Sequence, residues 1–174
     1  MNWTKLANGL KGIDRIECDM VPYNDEYALR LVTPALAITV AGLQHSEIPE
    51  QLASMVRSFN VGATEKVFSK HEPDYRPYIL SRAHLIYEPG DRSKTLYIFE
   101  GIHQKNYEEK KLFFIRKRYF DLIPGEVVTL AAPAELGSIL FISTESFGYI
   151  MPYVPKSEEW EDMKSVAKML LWRV

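Results

Sequence analysis

Between residues 15 and 20 the chain alternates strictly between polar and apolar side chains, which puts Ile16, Cys18 and Met20 on the buried face of a half-exposed strand. Ahead of it, Trp3, Leu6, Ala7 and Leu10 recur at three-and-four spacing between Asn2, a good N-cap, and Gly12, a good stop. That spacing predicts a short N-terminal helix. Pro22-Tyr23-Asn24-Asp25 is turn chemistry, and residues 27–32 and 36–41 read as two strands of a hairpin divided at Thr33-Pro34. Ser46, Pro49, Glu47 and Glu50 then supply a helix start, and Leu52, Met55, Val56 and Phe59 form one apolar stripe before Asn60 and Gly62. An internal helix over about 47–60 follows from that pattern.

From Glu65 onward the rhythm is β. Strands are predicted at 66–69, 78–87, 95–102, 110–120, 126–132, 138–143 and 149–153, with turn residues at Glu88-Pro89-Gly90-Asp91, Ile123-Pro124-Gly125 and 133–137. A last helix, about 157–172, opens on Glu158, Glu159, Glu161 and Asp162 and closes on Lys168 and Arg173, so its charges complement the helix dipole. Trp160, Met163, Ala167 and Leu170 fall on one face, Val166 lies beside them, and Leu171 and Trp172 extend past the stripe. The expected fold is α+β: a mainly antiparallel, meander or barrel-like sheet with these three helices. No repeat or composition shift divides residues 1–174, so one domain is expected.

The run Glu88-Pro89-Gly90-Asp91, Leu96 to Gly101, then Asp121 to Val128 resembles the strand-and-turn rhythm of cupin barrels over less than half of the chain. The resemblance implies a β-barrel. The metal set of that family, two histidines and a glutamate between the first glycine and Gly101 and a histidine after Gly125, is not matched: the interval from Gly90 to Gly101 is too short and holds no histidine, and none lies between Gly125 and Tyr153.

Composition narrows the function. The 174 residues are 47% hydrophobic and 25% charged, an ordinary globular balance. Lys plus Arg number 21 against 23 for Asp plus Glu, so no global field draws nucleic acid or an anionic membrane. Cys18 is the only cysteine, which leaves no intramolecular disulfide and no multi-cysteine zinc cluster. With no secretory leader in the first ten residues and no apolar run of ~20 residues, a cytoplasmic location and no membrane contact are expected.

Neither a glycine-rich phosphate loop nor a G-x-S-x-G elbow occurs, and no cofactor is expected. The histidines, His45, His71, His84 and His103, lack the short spacings of metal sites. Neighbouring strands could still join His84 and His103 to Glu100, which makes these three the acid–base candidates. His71-Glu72-Pro73-Asp74 reads as a solvated loop. The stretch 110–120 mixes five cations with four aromatics, so Arg116, Lys117 and Arg118 are candidates for single-stranded nucleic acid. An edge strand guarded by charge explains the same stretch and is the better fit.

Tyrosines near strand ends, with a terminal helix apolar beyond one stripe, favour a protein interface, and Tyr149, Tyr153, Leu171 and Trp172 are its candidates. The leading expectation is a non-catalytic interaction or assembly protein, of the general character common in viruses and mobile elements, binding a protein partner or itself. A small-molecule barrel or enzyme using the His/Glu group, and a nucleic-acid binder, stand as alternatives.

Overall fold

The computed structural model describes residues 1–55, 58–61 and 75–171. Three antiparallel meanders of three strands each, with one further strand, make a ten-stranded sheet among the described residues. The first is β1 (Glu17–Tyr23), β2 (Glu26–Val32) and β3 (Leu36–Leu43); the second is β5 (Tyr78–Glu88), β6 (Asp91–His103) and β7 (Lys110–Arg116). The third, β8 (Val127–Ala132), β9 (Ile139–Ser143) and β10 (Phe147–Ile150), lies between them, with β10 on β3 and β8 on β5. β4 (Ser58–Val61) adds a parallel pairing, along β1, and the order is β4-β1-β2-β3-β10-β9-β8-β5-β6-β7. The fold is therefore α+β with a mainly antiparallel sheet, as the strand rhythm predicts.

Local chemistry explains the joints. The β1–β2 hairpin turns on Asn24, whose φ of 54° suits the left-handed conformation tight turns require. Asn2 caps α1 (Trp3–Leu10) by accepting from the Lys5 N–H at 2.9 Å, and Leu6, Ala7 and Leu10 enter the core. At Gly148 a side chain would collide with the Ala37 carbonyl, so the close seating of β10 on β3 needs glycine there.

One sheet face and α1 enclose the main core, which includes Cys18, Met20, Leu31, Ile38, Tyr78, Phe99, Phe141 and Ile150. The other face is covered over β5–β7 by α4 (Ser157–Leu171), whose Met163, Ala167 and Leu171 pack with Leu96, Ile98 and Phe114. After β10 the chain returns to the far edge of the sheet, where Tyr153 N–H donates to the Phe114 carbonyl at 2.7 Å. The sheet thus curls back on itself, while β4 and β7 remain its end strands. Among the described residues no helix is long and apolar enough to cross a membrane.

Three details differ from the sequence expectation. The internal helix is α2 (Glu50–Ala53) alone, and Ser58–Val61 is strand, because pairing with β1 satisfies backbone groups at an edge that a helix would leave bare. Residues 110–120 are not one strand: β7 stops at Arg116 and α3 (Lys117–Phe120) follows. The helical turn swings Phe120 back over Tyr97 and Phe99, with ring centroids 5.1 and 5.6 Å away. On α4 the buried stripe runs through Leu171, while Leu170 faces outward at 38% exposure. The predicted strand 66–69 lies outside the described residues.

Candidate functional site

The acid–base candidates sit on one hairpin but do not converge. His84 pairs with Ile98 and His103 with Tyr78, so the two imidazoles are five positions apart along β6, about 16 Å at the usual strand rise. Glu100 and His103 also differ in parity, which sends them to opposite faces. His103 is occupied locally: its ring meets Tyr78 edge-on at 5.3 Å, and its Nδ1 accepts from the backbone N–H groups of Lys105 and Asn106. Glu100 is fully buried and ion-paired, with Lys110 Nζ at 2.9 Å and Arg82 Nη1 at 3.7 Å. Arg82 reaches it from a register shift between Ser81 and His84, with its backbone at a φ of 51°. Among the described residues no group of three or more His, Cys, Asp or Glu is placed to hold a metal ion. His71-Glu72-Pro73-Asp74 lies outside them.

β7 is an end strand, as its mixed cationic and aromatic faces suggest, and its cations have intramolecular partners. Arg116 holds both Glu88 oxygens and stacks on Tyr153. Lys117 pairs with Asp121 and lies over Tyr97, while Arg118 donates to the Lys11 carbonyl at 3.1 Å.

The interaction candidates separate into two groups. Tyr153 and Leu171 serve the chain's own packing. Tyr153 bridges β7, donates to Glu159 at 3.2 Å and packs beside α4; burial and the neighbouring Glu159 carboxylate raise its phenol pKa. Leu171 is 3% exposed in the α4 seam because its helical phase, not that of Leu170, meets Phe114 and Ile98. Trp172 lies outside the described residues. Tyr149 is different: it is half-buried on the outer face of β10, where α4 does not reach.

Register shows what surrounds it. Across five strands, Ile79, Ala131, Leu140, Tyr149 and Ala37 share one face in one row, and Thr129, Ile142, Phe147 and Thr39 in the next; Ala131 and Thr39 are buried, and Thr39 pairs with Arg30 of β2. None of these positions is charged. Ile142 and Phe147 stand directly opposite each other, 45% and 39% exposed, and Met151 continues the β10 parity at 50%. The short β9–β10 turn fixes that register, because Ser143 N–H donates to the Ser146 carbonyl at 2.8 Å and the two hydroxyls meet at 2.9 Å. Within the first row Arg76 stacks on Tyr149, 5.1 Å from the ring centre, and donates to the Ser138 carbonyl, which brings one cation onto this face.

Residue type alone does not mark Ile142, Phe147 and Met151 as a surface. Their signal was the unbroken apolar run Ile139-Leu140-Phe141-Ile142, which marks a strand with cover on both faces, whereas a strand with one face in water alternates. Here the core covers Ile139 and Phe141, and Leu140 and Ile142 look outward. Comparison with known proteins finds no family model, no curated protein and no solved structure that matches this chain.

Proposed function

We propose that this chain is a non-catalytic assembly protein that docks through the outer face of β8, β9 and β10, first of all onto a second copy of itself. The observation that carries this reading is the exposed apolar cross-strand pair Ile142 and Phe147, continued by Met151 and bordered by Tyr149 with Arg76 stacked on it. Scattered apolar residues are normal on a protein surface, but a contiguous patch fixed by backbone pairing favours burial by another macromolecule. Fully burying an isoleucine or phenylalanine is worth about 1.5–3 kcal/mol, so the half-exposed pair leaves a useful part of that unrealised in a monomer. An apolar face is complementary to itself, which suits a two-fold contact in which the same strands meet.

Native mass spectrometry over a concentration series tests the proposal. The wild-type chain is expected as a bare dimer or higher oligomer at micromolar concentration, and Ile142→Asp, at a surface position, is expected as a folded monomer. A wild-type monomer throughout, or an Ile142→Asp oligomer indistinguishable from wild type, overturns it.

A further inference from the structure

We infer that the cleft between α3 and the β5–β6 end of the sheet binds a small molecule bearing a phosphoryl group. The cleft has a volume of about 520 Å³, within the range of ordinary small-ligand sites. Four cations line it, Lys94, Arg116, Lys117 and Arg118, against two carboxylates, Glu88 and Asp121. It therefore stays positive on a chain whose overall charge is negative, even when Asp91, the partner of Lys94, is included.

The partners position these cations rather than removing them. Both Glu88 oxygens hold Arg116, engaging its Nε and Nη2, and the Tyr153 ring backs the guanidinium. Among the described residues no hydrogen bond engages Nη1 of that fork, which leaves it for a ligand. Arg118 donates through Nη2 to a neutral carbonyl, so its charge has no carboxylate partner among the described residues. Side chains already held in place lose little freedom on binding, and an arginine fork matches phosphate oxygens in pairs. A phosphate group brings close to two negative charges and three acceptors, more than a carboxylate offers such a cluster.

The chain's course favours a compact ligand over a long strand of nucleic acid. Had β7 continued to Phe120, its cations would be strung along an extended edge. Instead it ends at Arg116, and α3 folds Lys117 and Arg118 around a concavity.

Titration calorimetry of the full chain with inorganic pyrophosphate at low salt, and in parallel with oligothymidylates of increasing length, decides the matter. Saturable 1:1 binding of pyrophosphate is expected, weakened about tenfold or more by Arg118→Ala and by Lys94→Ala, as for loss of a hydrogen bond to a charged group. Both variants should unfold at the wild-type temperature, since each removes an exposed side chain. No saturable binding, or affinity unchanged in both variants, overturns the inference. So does oligothymidylate affinity that grows with length while pyrophosphate fails to bind, which would assign the cations to a strand.

Discussion

Replacing Met163 with alanine tests how firmly α4 is seated on the sheet. Met163 is 3% exposed and packs in a satellite cluster with Leu96, Ile98, Phe114, Ala167 and Leu171, separate from the main core. Truncating a buried methionine to alanine removes transfer energy and leaves a cavity, together about 2–5 kcal/mol. Because one wall of this cluster is a single helix that can settle inward, a loss of about 3 kcal/mol is expected. For a chain of this size each kcal/mol moves the unfolding midpoint by about 2–4 °C, so calorimetry should show a drop of about 6–12 °C. The same variant should bind more of a hydrophobic dye if α4 loosens, since Ile98 and Phe114 lie beneath it. A shift below about 3 °C with unchanged dye binding would refute the packing, and with it the seating of α4 over β5–β7.

Leu171→Ala should cost about 2 kcal/mol by the same measurement, and the loss should not vary with protein concentration; a concentration-dependent loss would place Leu171 in an interface between chains. Burial, aided by the charge of Asp19, pushes the Cys18 thiol up to about 12. The native chain should therefore resist iodoacetamide at pH 8 and react once unfolded, and rapid native labelling would contradict a side chain 1% exposed. Burial also raises the Tyr78 phenol to about 12, and the hydrogen bond to Glu109 and that carboxylate's charge add to the effect. The folded state then keeps a proton that the unfolded chain gives up near pH 10, so stability falls as pH rises from about 10 to 12. Urea midpoints at pH 9 and pH 11 should differ less in Tyr78→Phe than in wild type, and equal differences would show that this phenol is not the group responsible.

Much of the fold was legible wherever one face of an element meets the core and the other meets water. Residues 15–20 alternate in type because Cys18 and Met20 face the core, although Asp19 and Val21 on the opposite face are buried as well and β1 is not the half-exposed strand expected. α1 ends where Asn2 and Gly12 place its boundaries. Legibility failed where the deciding partner is distant in sequence. The apolar residues after Leu52 fit a helical stripe as well as a strand, and the parallel pairing with β1 that selects the strand cannot be read locally. Leu170 and Leu171 are both apolar neighbours, so periodicity alone does not choose which one meets Phe114. The separation of His84 from His103 follows from a hairpin register and a bulge, and neither leaves a mark in residue type.

The same limit applies to the site. Tyr149 was recognisable as an interface type, but the largely apolar neighbours that share its face come from four other strands. Arg116, Lys117 and Arg118 stood out by charge, and the turn of α3 that gathers them around a cleft came only with the fold.

Oxidative footprinting of two methionines tests the central claim most directly, because each is about half exposed and only one lies beside the proposed interface. Met151 continues the outward row of β10 at 50% exposure, and Met169 sits on the solvent side of α4 at 55%. Raising the protein from nanomolar to high micromolar concentration should protect Met151 from peroxide while Met169 oxidises at the same rate. Equal oxidation of Met151 at both concentrations would mean that this face stays bare, and the assembly reading would be wrong.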